Sequence, residues 1–357
     1  MKTRTKLTAI LLSLVLCAGI LASCAKSGDG DASPTPSAGA DVTTPGATAP
    51  DNEAAYLAEP ASQRVIKIGY SGGLCQAAVA IAQLKGYFAD EGLNTELTKV
   101  ENARDAIATG HLDTSAGMIA YWLTPVTNGI DIRFTVGLHT GCSSAFVTAD
   151  SGITEFTKGQ RVAVSGGFGG VNNNIAYRFI SHDGFVPDDF TWLAFDDDNS
   201  ALIALTEGKA DVAVIGDQVS EKEVQNGSIV RIRSLHEDDD FKDEACCVMG
   251  ISGAFLDENP VASEKISRAV YKAALWIDAN EENKIETAKL LLENGYISGT
   301  EEYAVHLLGL FRFGLPNELT EATLYRSVDE YQKLGVISAD LNPDDVKAQI
   351  WVPLNIG

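Results

Sequence analysis

The stretch Arg64-Val65-Ile66-Lys67-Ile68-Gly69-Tyr70, followed directly by Ser71-Gly72-Gly73, decides the fold of this chain. Its apolar and polar residues alternate as in a β-strand, and the glycines end the strand. Residues 76–87 then carry apolar side chains at helical spacing as far as Gly86. A strand, a glycine turn and a helix in succession predict the opening of a βαβ unit.

The same succession returns in the second half of the chain. Arg161-Val162-Ala163-Val164 predicts a strand, residues 165–170 a glycine-rich turn and residues 172–180 a helix. A further echo matches residues 106–113 with residues 204–211, each a helix that ends at a glycine before a short strand. Because the two echoes occur in the same order, at offsets of 94 (71 to 165) and 98 (106 to 204), they predict two lobes of similar connectivity.

The remainder of the chain predicts how the lobes connect. Apolar residues at three- and four-residue spacing predict helices over residues 262–280, 282–293, 301–313 and 320–334. We therefore expect lobe one over residues 63–145, lobe two over 146–247, and a return to lobe one over 248–357. The predicted fold class is α/β, with a doubly wound sheet in each lobe, a two-crossover hinge and C-terminal helices packed on lobe one.

The N-terminus has the pattern of an exported lipoprotein. Three basic residues precede an apolar run over residues 7–21 that is too short for a membrane span. Leu21-Ala22-Ser23-Cys24 then resembles a bacterial lipobox, in which the cysteine receives the lipid. We therefore expect residues 1–23 to be a signal peptide and Cys24 to anchor the chain to the membrane, facing outside the cytoplasm. An ordinary cleaved signal with a chance cysteine is the alternative.

Residues 24–62 are rich in Ser, Pro, Thr, Ala, Gly and Asp, and we expect them to form a disordered tether. The formal net charge of the chain is −22, and removal of the three basic residues of the signal makes it −25. A charge this negative argues against nucleic-acid binding. It does not identify a ligand.

Four segments of the sequence together resemble those of a known protein family. Lys67-Ile68-Gly69-Tyr70, residues 82–93, residues 106–113 and residues 151–164 are similar to nitrate/sulfonate/taurine-type ABC transporter substrate-binding proteins, a family that includes binders of thiamine-precursor pyrimidines. The resemblance implies a type II periplasmic-binding-protein fold. It also implies a small-molecule solute in the interlobe cleft, and an ABC permease and ATPase as partners.

We expect a monomeric binding protein without catalytic residues, cofactor or metal. Two alternatives remain open at this point. One is an exported enzyme on the same fold that acts on a pyrimidine through a cysteine or metal site. The other is a sensory receptor for the same solute.

Ligands of open α/β sheets sit beyond the carboxyl ends of the strands, where loops lead into helices. The loops expected there contain no Lys or Arg, which favours a neutral or weakly basic organic solute over nitrate or a sulfonate. The predicted ligand-binding residues are Ser71, Gly72, Gly73, Cys75, Gln76, Gly117, Met118, His139, Thr140, Cys142, Gly167, Phe168, Gly169 and Asp217.

Four cysteines beyond the anchor, Cys75, Cys142, Cys246 and Cys247, are all expected near the cleft. In an exported protein the first expectation is a disulfide, from Cys142 to Cys246 or to Cys247. Buried free thiols are a second possibility. A metal or reactive-thiol site that includes His139 is a third, although the spacing lacks the C-x-x-C pair typical of zinc sites.

Overall fold

The computed structural model describes residues 50–356, and these belong to one compact unit. The predicted signal peptide, Cys24 and residues 24–49 of the predicted tether lie outside the described residues. Among the helices of residues 50–356, none is both long and apolar enough to cross a lipid bilayer.

Within the described residues, ten strands form two five-stranded mixed sheets. The first sheet contains, in spatial order, β2 (Thr95–Lys99), β1 (Ile66–Tyr70), β3 (Thr114–Met118), β10 (Ala245–Ser252) and β4 (Ile132–Thr140). The second contains β7 (Thr191–Phe195), β6 (Arg161–Ser165), β8 (Val212–Gly216), β5 (Ser143–Thr148) and β9 (Ile229–Ser234). The two-lobed α/β prediction is confirmed.

The two sheets have the same arrangement of strands, which explains the repeated patterns in the sequence. In the first sheet β1 pairs in parallel with β2 and β3, and β10 runs antiparallel between β3 and β4. In the second, β6 pairs in parallel with β7 and β8, and β5 runs antiparallel between β8 and β9. Each sheet therefore contains one antiparallel strand that adjoins a crossover between the lobes, so neither is parallel throughout.

The helices cover the faces of these sheets. Their bounds are α1 Pro50–Ala58, α2 Ala77–Leu84, α3 Tyr87–Asp90, α4 Ala103–Ala108, α5 Ile119–Thr127, α6 Val171–His182, α7 Asp198–Thr206, α8 Asp217–Gln225, α9 Gly253–Glu258, α10 Pro260–Asp278, α11 Glu281–Glu293, α12 Glu301–Gly309, α13 Asn317–Lys333 and α14 Pro343–Ile350. Short 3-10 turns occupy Pro60–Gln63, Leu74–Gln76 and Pro187–Asp189. As predicted, the C-terminal helices return to lobe one, where α10 packs on α2 and β4 and α13 packs on β4 and β10.

The folded domain begins earlier in the sequence than predicted, within the C-terminal part of the predicted tether. Residues 50–58 form α1, and Tyr56 and Ala61 are buried against the rest of the molecule. The Glu59 carboxylate accepts hydrogen bonds from the backbone N–H groups of Val261 and Ala262 at 2.7 and 2.8 Å. Residues 50–62 are therefore part of the folded domain. The first turn of α10, about 200 residues later in the chain, supplies contacts that could not be predicted from the composition of residues 50–62.

Candidate functional site

A cavity of about 220 Å³ opens at the carboxyl ends of β1, β2 and β3. Its position follows the rule for ligand sites in α/β sheets, since the residues that come after these strands reach the same edge. The lining residues are Ser71, Gly72, Cys75, Gln76, Glu101, Ala103, Ala116, Gly117, Met118, Tyr121, Val171 and Cys247.

The turn after β1 forms one wall of the cavity and is already hydrogen-bonded within the protein. The Ser71 N–H donates to Gln76 Oε1 at 2.8 Å, and the Leu74 N–H donates to Gln218 Oε1 at 2.9 Å. Gly73 has a φ of 90°, and a Cβ there would lie 3.1 Å from Gln218 Oε1, so glycine lets lobe two approach this closely. Two of the backbone donors that could hold an oxyanion are thus engaged elsewhere.

The charge of the cavity is negative. Glu101 is the one charged side chain among the lining residues, and none of these residues is Lys or Arg. Arg104 lies outside the lining, with its guanidinium carbon 4.2 Å from the centroid of the Tyr121 ring. This arrangement suits a neutral or cationic solute better than an anion.

Behind the cavity wall, Cys75, His139, Cys142 and Cys247 form what we call the Cys–His cluster. One side-chain ligand atom from each residue lies within 4.8 Å of the corresponding atoms of the other three. Cys75 belongs to the 3-10 turn before α2, and Cys142 to the link between β4 and β5. The cluster joins the first βα turn to both crossover strands.

A β-bulge in β10 gives the adjacent residues Cys246 and Cys247 different surroundings. Ala245 pairs with Thr140 and Cys247 with His139, so Cys246 is the extra residue between them. Cys247 thereby lies opposite His139 on one side and Met118 on the other. Only Cys247 of the two contributes to the cluster and to the cavity wall.

The His139 ring is held in one orientation. It is fully buried between Phe311 and Phe313, with ring centroids 4.8 and 5.5 Å away. Its Nδ1 donates to the Thr140 carbonyl oxygen at 2.5 Å, whereas Nε2 has no hydrogen-bond partner. Since Nδ1 carries the proton, Nε2 is the nitrogen whose lone pair remains available.

The Cys75 thiol is the most acidic candidate nucleophile of the cleft. Hydrogen bonds, first from Cys142 and then from Cys247, hold the pKa of Cys75 well below its usual range. Gln218 Nε2 of lobe two also donates to Cys75 Sγ at 3.0 Å. These hydrogen bonds make the Cys75 thiol easier to deprotonate than an ordinary buried cysteine.

Cys142 and Cys246, one of the two predicted disulfide pairs, lie next to each other, and a disulfide between them stays a prediction. All four cysteines among the described residues are free thiols, and Cys142 Sγ lies 3.1 Å from Cys246 Sγ. That separation is a thiol–thiol contact, longer than the roughly 2.05 Å of an S–S bond. Cys142 thus contacts Cys246 as well as the other three members of the Cys–His cluster.

Six predicted residues line the cavity, namely Ser71, Gly72, Cys75, Gln76, Gly117 and Met118. Gly73 faces the neighbouring groove beside Gln218. His139 and Cys142 lie behind the wall in the cluster, and Thr140 supports them through its carbonyl oxygen.

Asp217 was expected to face the ligand, and the structure places it elsewhere. It is fully buried in lobe two, where its carboxylate accepts a hydrogen bond from Ser144 and lies 3.4 Å from Arg231 Nε and 3.3 Å from His236 Nδ1. The Asp217 carboxylate balances the positive charge of Arg231 in the interior of lobe two, so it is not available to bind a solute.

The second glycine turn also lies away from the cavity. Gly167 and Gly169 have positive φ angles and form the turn before α6. Phe168 between them is 69% exposed, so it stacks on nothing in the cavity. Residues 167–169 do not line this cavity, which belongs mainly to lobe one, and their contact with the ligand stays a prediction.

Sequence reasoning missed Glu101, Ala103 and Val171 as part of the lining, whereas Cys247 was expected near the cleft. Glu101 follows β2, whose sequence Thr-Glu-Leu-Thr-Lys has a single large apolar residue. The rule that located the other loops would have found Glu101 had this strand been recognised.

Comparisons with known proteins agree with this architecture. The family model described as NMT1/THI5 like matches residues 76–283, which is more than half of the chain. The chain belongs to the NMT1/THI5-like family. No curated protein sequence matches it.

Solved structures show the same fold as this NMT1/THI5-like protein. The alkanesulfonate-binding protein SsuA from Xanthomonas axonopodis pv. citri, bound to MOPS, is 17% identical, with a TM-score of 0.65 over 82% of this chain and 99% of that one. The nitrate-binding protein NrtA from Synechocystis PCC 6803 is 17% identical, with a TM-score of 0.66 over 80% and 86%. The aliphatic sulphonate-binding protein SsuA from Escherichia coli is 15% identical, with a TM-score of 0.63 over 81% and 97%. The predicted periplasmic-binding-protein fold is confirmed.

Proposed function

We propose that this protein is the extracytoplasmic solute-binding lipoprotein of an ABC importer, anchored through Cys24, and that it captures a small neutral or cationic organic solute. The observation that carries the proposal is the cavity beyond the strand ends of lobe one, whose single charged lining residue is Glu101. The family, the fold and the lipobox-like N-terminus support the importer role.

The solute class follows from the wall of the cavity. Nitrate or a sulfonate needs a cationic fork or a set of free amide donors. The lining residues include no cation, and the Ser71 and Leu74 amides are bonded to Gln76 and Gln218. An aminopyrimidine or a similar flat base would instead meet the Tyr121 ring and the Glu101 carboxylate.

An enzyme on the same fold is the second candidate, and the contact of Cys75 with His139 favours it. A thiol beside an imidazole is the minimal arrangement for nucleophilic catalysis. His139 is fully buried and its Nδ1 is engaged by Thr140, so it could take a proton only through Nε2. Conversion of the bound solute to a product would favour this alternative over capture and release.

Thermal unfolding of the full chain with a panel of solutes tests the solute class. The panel contains nitrate, taurine, alkanesulfonates, aminopyrimidines and thiamine. A ligand at 100 times its Kd adds about 2.7 kcal/mol to the free energy of unfolding, which raises the midpoint measurably. We expect a basic or neutral heterocycle to raise it. A rise with nitrate or sulfonates alone would overturn the proposed solute class.

A further inference from the structure

The Cys–His cluster has the composition of a site for a thiophilic metal ion. It offers three sulfur atoms and one imidazole nitrogen, and no carboxylate is part of it. Soft thiolate ligands with an imidazole suit Zn²⁺ and Cu⁺, whereas hard ions such as Mg²⁺ and Ca²⁺ require oxygen ligands. From the sequence, a metal or reactive-thiol site that includes His139 was only the third possibility for these cysteines, because no C-x-x-C pair is present.

The spacing of the four atoms fits one ion. In a tetrahedral zinc site with Zn–S of about 2.3 Å and Zn–N of about 2.0 Å, neighbouring ligand atoms lie roughly 3.5–3.8 Å apart. The ligand atoms of the cluster already lie within 4.8 Å of one another. Side-chain shifts of about 1 Å or less would therefore complete the coordination.

His139 supplies an independent indication. Its Nε2 is buried without a hydrogen-bond partner, which is costly for a polar atom unless something binds there. The Nδ1 proton is held by the Thr140 carbonyl oxygen, as is usual for a histidine that ligates a metal through the other nitrogen. The ring is thus already in the tautomer that coordination requires.

The site is accessible from the cavity. Cys75 and Cys247 line both the cavity and the cluster, and Cys75 is only partly buried. Met118, which pairs with Cys247 across the strands, adds a thioether to the same wall. An ion can therefore enter through the cleft and would form part of its floor.

We propose that Cys75, His139, Cys142 and Cys247 bind one thiophilic ion, Zn²⁺ or Cu⁺, at the base of the cleft. Each coordinating thiol loses its proton to solvent as its sulfur–metal bond forms, and no electron is transferred. The inference goes beyond the proposed function, because it holds whichever solute the cavity takes.

Metal titration of the reduced, chelator-treated full chain tests the site. Cys17→Ser and Cys24→Ser keep the two N-terminal thiols out of the measurement. Zn²⁺ is added in competition with a chromogenic chelator and Cu⁺ in competition with bicinchoninate, and Co²⁺ reports geometry through the visible bands of tetrahedral thiolate cobalt. We expect one ion per chain, with sulfur-to-cobalt charge transfer.

Matched variants separate the site from adventitious thiol binding. Cys75→Ser, which changes a partly buried residue, and Cys247→Ser should each weaken binding at least about a hundredfold. Cys246→Ser, next in sequence but outside the cluster, should leave the affinity within about threefold of the parent. Circular dichroism confirms that each variant is folded.

Two results would overturn the site. One is the absence of a stoichiometric ion in the reduced parent protein. The other is equal affinity in the Cys75→Ser, Cys246→Ser and parent proteins. Solute binding is measured separately by thermal unfolding, so failure of the metal site leaves the solute proposal standing, and the reverse holds as well.

Discussion

At the scale of single residues, Glu101 gives the cavity its charge. Its carboxylate is the one formal charge among the lining residues, and the side chains around it include Tyr121, Met118 and Val171. Glu101 is exposed, so water and salt partly screen its attraction for a cation or a hydrogen-bond donor. Under the proposed function, Glu101 is the lining residue that favours a basic solute.

Replacement of Glu101 by Gln should weaken the binding of a basic solute about tenfold, which corresponds to about 1.4 kcal/mol. The change keeps the shape of the side chain and removes its charge. Isothermal titration calorimetry with the best heterocycle from the panel measures the effect. Glu96→Gln, on the exposed side of β2, is the matched control. An unchanged Kd in Glu101→Gln would show that the carboxylate does not meet the solute.

Residue positions were predictable where local geometry fixed them. Cys75 and Gly117 follow or end parallel strands, so their place at the cavity could be derived from the strand and its turn. Asp217 also follows a strand, yet it turns into lobe two because Ser144, Arg231 and His236 surround it there. Partners this distant in sequence leave no local signal.

At the scale of elements, α1 and the following turn fasten the N-terminal end of the described chain to α10. Glu59 binds the first free N–H groups of α10, and the Ala61 N–H donates to Asn259 Oδ1 at 2.8 Å. A carboxylate at a helix N-terminus satisfies orphan donors and opposes the positive end of the helix dipole. The contact couples residues 50–63 to the long helix that covers lobe one.

Replacement of Glu59 by Ala should lower the free energy of unfolding by about 1–2 kcal/mol, the usual cost of losing a helix cap. Glu59 is 8% exposed, so water does not readily take its place. Urea unfolding followed by circular dichroism measures the loss. Glu258→Ala, at an exposed position just before α10, should change stability by less than about 0.5 kcal/mol. Equal effects of the two changes would refute the capping role.

A second link between elements joins α6 of lobe two to α13. Arg178 Nε binds Glu330 at 2.6 Å, and His182 Nε2 lies 3.1 Å from the same carboxylate, while its Nδ1 faces Asp240. The hydrogen bond with Glu330 raises the pKa of His182. Burial alone would raise the pKa of Glu330, but His182 and Arg178 outweigh it and lower that pKa to about 2.

This link should make stability depend on pH in a defined direction. The His182 contribution is complete below about pH 6.5 and is lost as the pH rises through its raised pKa. The Glu330 contribution is present above about pH 4.5 and is lost as the pH falls towards 2. The cost of Glu330→Gln should therefore be greatest between about pH 4.5 and 6.5.

We expect that cost to be about 1–3 kcal/mol near pH 5.5 and smaller near pH 8.5, where the ion pair with Arg178 remains. Urea unfolding of the variant and parent at both pH values measures it. Glu318→Gln, an exposed change on the same helix α13, should show no such pH dependence. A pH-independent cost of Glu330→Gln would exclude a role for His182 titration.

Helices and strands whose apolar residues recur at a regular spacing could be predicted from the sequence, and those without such a spacing could not. The alternation of residues 64–70 and 161–164 and the glycines after them predicted β1 and β6, and the helical spacing after residue 260 predicted the return to lobe one. Two elements with few large apolar residues, β2 and α1, escaped prediction. Their stability comes from neighbours, β1 for the first and α10 for the second.

At the scale of the whole molecule, two sheets with the same strand arrangement belong to two lobes, which contact each other at the turn after β1. Gln218 of α8 holds the Leu74 N–H and Cys75 Sγ, and Tyr303 of α12 donates to the Gln218 carbonyl oxygen at 3.1 Å. These contacts join α8 of lobe two to the turn after β1, which forms one wall of the cavity. A solute that prefers the closed form would shift a hinge equilibrium towards it.

Under the proposed function, the cleft captures a small organic solute and releases it unchanged. The most direct measurement is equilibrium dialysis of the full chain against the solute panel, with mass spectrometry of what the protein retains and later releases. We expect one neutral or basic heterocycle per chain, recovered with its mass unchanged. Retention of no solute, or release of a chemically altered one, would contradict the account.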